Sequence, residues 1–277
     1  ACLGLFCFGL IYYSYKRSIS LPSVRFSPIR IEKPVQESLN FLVVGDTGSG
    51  DKHQYAVAEA MEKRCLEMEQ LDGLLFLGDH FYMTGVESTE DEQWQDKFEK
   101  PYGSPCLSKL PIYPVFGNHD YRGNKDAFIE YSRINPRWQI PHRFYSVGFG
   151  KMLKIVAFDS NFVDLCFSPE HCSLDFLNSE LAQDHTWKFV LAHHPIASSS
   201  VKGYSYGGKT PYGHILKHFT CNQFDAFFAG HAHHLEHRSL KDCSGELFIS
   251  GSGGADLREV HQSDALSHFA EAQFGFM

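Results

Sequence analysis

Five short apolar runs in this chain each end on a side chain able to ligate a cation. They close as "VVGDTG" with Asp46, "LGDHFY" with Asp79 and Tyr82, "FGNHD" with Asn118 and His119, "LAHHP" with His193, and "FAGHAHH" with His231 and His233. Carboxylate, phenol, amide and imidazole donors without thiolate suit hard or borderline metals such as iron, manganese and zinc. A carboxylate can also bridge two neighbouring cations and offset their repulsion. Taken singly, each residue has an ordinary reading: Asp46 as a turn or helix cap, Tyr82 as a half-buried aromatic, Asn118 as a turn residue. Their recurrence at successive strand ends is what argues for metal. His193 and His194 are adjacent, so on extended backbone they point to opposite sides and one of the two is the ligand. His231 and His233, two apart, face the same way. His234 and His237 read as surface residues or as residues behind the ligands.

The elements that must position these groups can be read from the same runs. "LNFLVVGDTGSG", "LDGLLFLGDHFY", "LPIYPVFGNHDY", "TWKFVLAHHP" and "FDAFFAGHAHH" are strands that run into turns, and "LKIVAFDS" and "ELFISGSGG" add two more. Residues 52–70 carry apolar side chains at helical spacing, and shorter helices are expected near 92–100, 126–132 and 175–183. Strands apolar on both faces, interleaved with helices, predict buried sheets covered by helices. An open α/β sheet places its site at the carboxyl ends of its strands, which is where all five groups fall.

Composition narrows the functions. The 277 residues are 43% apolar and 21% charged, the balance of a soluble domain with a full core. A net charge of -8 leaves no basic surface to neutralise many nucleic-acid phosphates, so an anionic substrate needs its cations inside the site. Residues 1–19 are apolar and then basic, and read as a signal-peptide or membrane-anchor remnant. Lys16 and Arg17 after that run pull toward a cytoplasmic body by the positive-inside tendency. Residues 20–40, with Pro22, Pro28 and Pro34, read as a linker, and 41–277 as the folded domain. Of the eight cysteines, none forms a CxxC zinc pair. Cys166 and Cys172 bracket a short loop that a disulfide could close, Cys221 and Cys243 are a second candidate pair, and free buried thiols are the alternative. An even cysteine count behind an apolar leader favours a secreted or extracytoplasmic location.

The order and phrasing of the motifs resemble the metallophosphoesterase superfamily, and "GDHFYMTGV" resembles the purple, or tartrate-resistant, acid phosphatases within it. The resemblance spans roughly residues 41–277. It implies an α/β fold, a four-layer αββα sandwich of two mixed sheets flanked by helices, here lacking C-terminal strands so that "FGFM" is poorly covered. It also implies two metal ions, Fe3+ plus a divalent Fe, Zn or Mn. Asp79 would bridge them, Asp46, Tyr82 and His233 would complete the first, and Asn118, His193 and His231 the second. The implied reaction is phosphomonoester hydrolysis, an acid phosphatase activity in which a metal-activated hydroxide attacks phosphorus. Asn118 and His119 would contact the phosphate. His119 would protonate the leaving alkoxide, and Asp120 would orient His119 by a hydrogen bond. The substrate is then a phosphorylated small molecule or phosphoprotein.

Four positions depart from the family. A Glu-His pair of mammalian relatives falls on Val201 and Lys202, which makes Lys202 a candidate substrate-binding cation with a plain surface lysine as its alternative. His80 stands where relatives commonly have asparagine. His194 fills a position that is aromatic in relatives. Two other functions stay open: hydrolysis of phosphodiesters or nucleotide pyrophosphates, and a non-catalytic, membrane-tethered protein that binds metal or phosphate.

Overall fold

Apolar side chains on both faces of several four- to six-residue runs leave those runs no solvent-facing side, and they assemble as interior strands. The computed structural model describes residues 29–34, 37–161, 173–200, 211–261 and 265–277. In chain order its elements are β1 (Arg30–Lys33), β2 (Phe41–Val44), α1 (Lys52–Glu67), β3 (Gly73–Phe76), β4 (Ile112–Pro114), α2 (Lys125–Ile134), β5 (Tyr145–Phe149), β6 (Leu153–Ala157), α3 (Ser173–Leu181), β7 (Trp187–Ala192), α4 (Pro211–Thr220), β8 (Ala226–Ala229), β9 (Leu235–Ser239), β10 (Glu246–Ser250) and β11 (Ser267–Glu271). The expected helix at 92–100 is a short π-helical turn, Gln95–Glu99.

Two sheets result. The larger has eight strands in the order β1-β5-β6-β7-β8-β10-β9-β11, and the smaller has three, β2-β3-β4. The large sheet is mixed, with β6, β7, β8 and β10 running parallel, β9 antiparallel to β10, and β11 antiparallel to β9. The three strands of the small sheet run parallel to one another. Period-two alternation sorts the large sheet's side chains into two cores. Leu153, Ile155 and Ala157 join the core shared with Val44, Leu74 and Phe76 of the small sheet and with Val57, Ala58 and Met61 of α1. Val156, on the other face, joins Leu174 and Leu177 of α3, Leu216 of α4 and Phe227 of β8. The layers are therefore helix, sheet, sheet, helix.

Helix α1 begins where Asp51 accepts the backbone N–H groups of His53 and Gln54, and it buries Gln54, Val57, Ala58, Met61 and Cys65 along one stripe. Beneath it an aromatic cluster fills the space beside the small sheet. Trp94 stacks on Tyr131 with ring centroids 3.6 Å apart, and Trp138 meets Phe76, Phe98 and Phe128 edge-on.

Two further expectations need correcting. Residues 30–33, placed in a linker, form strand β1 in parallel register with β5. Phe276 and Met277 pack partly buried against the main core, and Val43 and Met277 exchange backbone hydrogen bonds of 2.6 and 2.9 Å in the manner of an antiparallel pair. Cys221–Cys243 is a disulfide, and a second joins Cys65 of α1 to Cys106, a pairing the sequence did not suggest. The loop bracketed by Cys166 and Cys172 and the leader lie outside the described residues. Among the described residues no helix is long and apolar enough to cross a membrane.

Strand β1 is anchored by charge. Glu180 of α3, fully buried, accepts from Arg30 at 2.7 Å and Ser146 at 2.8 Å, and pairs with buried Lys154 at 2.8 Å. Burial opposes ionisation of Glu180, but the hydrogen bonds from Arg30, Lys154 and Ser146 outweigh it and hold the carboxyl below its ordinary value. Glu180→Gln strands the Lys154 ammonium in the interior and is expected to cost about 3 kcal/mol at neutral pH, measured by denaturant unfolding. Because the folded value is depressed, this contribution is complete above about pH 4.3 and is lost as the pH falls through the lower folded value. The gap between wild type and variant is therefore expected to close in acid.

Candidate metal centre

The parallel register of both sheets brings five carboxyl-terminal strand ends to one rim. Asp46 follows β2, Asp79 follows β3, Asn118 follows β4, His193 follows β7 and His231 follows β8. Backbone bonds lock the ends together, from Asp46 N–H to Gly78 O at 2.9 Å and from Gly230 N–H to His193 O at 3.0 Å. Asp46, Asp79 and His231 adopt left-handed backbone with φ of 57°, 53° and 65°, which turns each side chain inward at a cost of about 1–3 kcal/mol apiece. Gly78, at φ 92°, allows the close approach: a Cβ there would lie 2.5 Å from His193 Nδ1.

The side chains gather as two trios with Asp79 beside them. In the first, Asp46 Oδ1 lies 2.9 Å from the Tyr82 hydroxyl and 3.2 Å from His233 Nε2, and that hydroxyl is 3.2 Å from the same nitrogen. In the second, Asn118 Oδ1 lies 3.1 Å from His193 Nε2 and 3.0 Å from His231 Nδ1, and the two imidazole nitrogens are 3.1 Å apart. Asp79 Oδ2 is 3.4 Å from His193 Nε2. His193 donates Nδ1–H to Leu77 O at 2.8 Å, and His233 donates Nδ1–H to Asp256 O at 2.6 Å, so both turn Nε2 toward the cluster. Around His193 three lone-pair carriers then face one another: its own Nε2, the Asn118 carbonyl oxygen and the Asp79 carboxylate. Such a cluster is stable only around a cation, either a proton or a metal.

The titration behaviour reports the same demand for positive charge. Burial alone would lower His193, but the carboxylates of Asp79 and Asp46 push it up to about 9. His233 is raised against burial by Asp46. Burial, with the negative field of Asp46 and Asp79, drives the Tyr82 phenol well above its ordinary value. His231 lies well below the ordinary imidazole value because it is buried beside His194 and His193. Asp79, despite burial, is held far below the carboxylate range by His193. Oxygen and imidazole donors around two buried carboxylates fit a pair of divalent or trivalent cations.

The structure changes the expected role of Asp120. Its carboxylate accepts the backbone N–H groups of Asp79 at 3.0 Å, His80 at 2.9 Å and Gly117 at 2.8 Å, and pairs with His80 Nδ1 at 2.9 Å. It orients the Asp79 turn, not His119. The His119 ring instead donates Nδ1–H to Met83 O at 3.2 Å, leaving Nε2 4.0 Å from Asp79 Oδ2. His80 is sealed among Phe76, Phe128 and Trp138, and its Nε2 finds no hydrogen-bond partner among the described residues. His194 is buried with Nδ1 2.9 Å from the Ser160 hydroxyl, and burial and His193 push it down to about 3. His234 is not at the surface but fully buried, paired with Glu236 at 2.9 Å. Lys202 lies outside the described residues.

The trios open into a cleft of about 530 Å³ lined by Asp79, Tyr82, Asn118, His119, His231 and His233. Two arginines on its wall, Arg122 and Arg258, were not singled out in the sequence. Arg122 is brought there by the single 3₁₀ turn Asp120–Arg122 and donates to Met83 O at 3.1 Å. Its position three residues after His119 was the available signal. Arg258 arrives from a loop with no such cue, through its N–H bond to His233 O at 2.9 Å.

Comparison with known proteins agrees with this geometry. Residues 39–235 match the family described as calcineurin-like phosphoesterase. The chain is 30% identical to purple acid phosphatase 4 of Arabidopsis thaliana over 99% of its length and 84% of the relative's. It is 28% identical to human tartrate-resistant acid phosphatase type 5, covering 86% of this chain and 80% of that one. Among solved structures, GAP50, described as the anchor in the inner membrane complex of Plasmodium, superposes with a TM-score of 0.74 at 20% identity, over 86% of this chain and 79% of that one. That likeness concerns the fold.

Asp120→Asn leaves one acceptor oxygen, which cannot receive both the His80 N–H group, held at Oδ1, and the Asp79 and Gly117 N–H groups, held at Oδ2. It is expected to weaken metal retention about 10–100-fold, read as metal content after dialysis. His119→Ala is expected to leave that content unchanged.

Proposed function

Because this chain belongs to the calcineurin-like phosphoesterase family, and to its purple acid phosphatase branch, we propose that the rim of trios is its phosphoester-hydrolysing site. The chain is a dinuclear, metal-dependent phosphatase, and the observation that carries the assignment is the sorting of seven donors into two trios around Asp79. In our reading Asp46, Tyr82 and His233 hold one cation and Asn118, His193 and His231 the other, with Asp79 shared. Cations bound there supply the charge that fixes phosphate oxygens and acidifies a water for in-line attack. A phenolate ligand at Tyr82 favours Fe3+ at the first position, with divalent Fe, Zn or Mn at the second.

The remaining work falls to side chains of the cleft. His119 stands at its wall with Nδ1–H fixed on Met83 O, so Nε2 is the atom that carries a proton toward the leaving oxygen. Asp120 holds the backbone turn on which Asp79 sits. Arg122 and Arg258 supply the cationic help that an acidic protein must concentrate inside its site to receive a phosphate. Lys202 joins them as a candidate. A phosphorylated small molecule or phosphoprotein fits a cleft of this size with both cations and arginines on its wall. Two disulfides support an oxidising, extracytoplasmic compartment for the folded domain.

Three measurements test this reading. Protein loaded with iron is expected to absorb in the middle of the visible range, and Tyr82→Phe to lose that band. His119→Ala is expected to lower kcat on a nitrophenyl phosphate about 10²–10⁴-fold. Arg258→Ala should raise KM about tenfold with little change in kcat. Turnover of diesters but not monoesters would instead favour the phosphodiesterase reading, and full turnover by Asp79→Asn would remove the site altogether.

A further inference from the structure

A second group of metal-ligating side chains lies away from the catalytic cleft, on the antiparallel end of the large sheet. His237 on β9, Glu246 on β10 and His268 on β11 come from three adjacent strands, in the order β10-β9-β11. His237 Nε2 lies 3.1 Å from Glu246 Oε2, and His268 Nε2 lies 3.8 Å from the same oxygen. One ligating atom from each of the three falls within 4.8 Å of the other two. We propose that His237, Glu246 and His268 form a divalent-cation site of the zinc class, separate from the catalytic centre.

Four observations support it. Two imidazoles and one carboxylate with an open fourth position are a donor set that zinc accepts. Tetrahedral bonds of about 2.0–2.1 Å place neighbouring donor atoms roughly 3.3 Å apart, and the two measured separations bracket that value. One ring is positioned by a neighbour outside the trio: His237 stacks on Phe248 at 4.5 Å with the planes 9° apart. The Ser239 hydroxyl, 2.7 Å from His268 Nε2 and 3.2 Å from the Glu246 carboxylate, takes the place at Nε2 that a cation would take over. Finally, the three side chains are 37–49% exposed, so a cation can enter from solvent and keep a water on its outer side.

The placement gives the ion a structural effect. Among the described residues strand β11 is joined to the sheet through β9 alone, with a register irregularity between Ser267 and Phe269 beside His268. A cation held by all three strands would tie β11 to β10 across β9. Cross-strand polar pairing without any ion is the competing account, and it makes opposite predictions.

The test uses full-length protein with its catalytic centre already filled, dialysed against excess Zn2+ or Co2+ and assayed for bound metal per chain. Wild type is expected to take up one ion beyond those of the centre, with a tetrahedral Co2+ absorption and a raised Tm. His237→Ala, and separately His268→Gln, which can still bond Ser239, are expected to lose that ion, its absorption and the Tm rise. Both variants keep the centre's metals and phosphatase rate. Absence of the additional ion in wild type, or its persistence in the His237→Ala/His268→Gln double variant, overturns the proposal.

Discussion

A carboxylate buried between two sheets has to be matched by positive charge, and much of this molecule follows from the need to hold Asp79 in that state. Its side chain accepts the His119 N–H at 2.7 Å and faces His193, while its own backbone N–H is held by the Asp120 carboxylate. Asp120 is itself a buried anion, stabilised by three backbone N–H groups and the His80 ring. Two carboxylates lie one behind the other, and the forward one faces a cleft where cations can be bound. An isolated buried charge would cost several kcal/mol; here the cost is offset by hydrogen bonds behind and by charge in front.

The same constraint explains where the backbone is strained. Three non-glycine residues at the rim, Asp46, Asp79 and His231, sit at positive φ, and all three present donor atoms to the cluster. Strain at these positions persists only because the surrounding sheets fix each strand end independently. The small sheet supplies three of the ends and the large sheet two, so the site exists only where the layers meet. Interior packing between those sheets, from Val44 and Phe76 to Ile155 and Leu191, is thus also what sets donor-to-donor distances.

Stability elsewhere is organised by a few long-range ties. Cys65–Cys106 pins the end of α1 to the loop before β4, and Cys221–Cys243 joins the end of α4 to the turn before β10. The Arg30–Glu180–Lys154 network fastens β1 and β6 to α3. The rim and its cleft lie where the two sheets meet, whereas the polar trio lies on β9, β10 and β11 at the antiparallel end of the large sheet.

The sequence by itself determined which chemistry is available and roughly where it sits. Apolar runs ending in Asp46, Asp79, Asn118, His193 and His231 are local patterns, and each became a strand with that side chain just beyond it. Alternation along extended chain separates His193 from His194, which turns away to Ser160, whereas the preference for His193 came from the family resemblance. Only the tertiary structure decided the partners. That Asp120 serves the Asp79 turn while Met83 positions His119, that Cys65 finds Cys106, and that residues 30–33 add a strand to the large sheet all depend on segments distant in the chain. Residue type and spacing encode what a side chain can do; which group it meets is fixed by how the layers pack, and no local pattern carries that information.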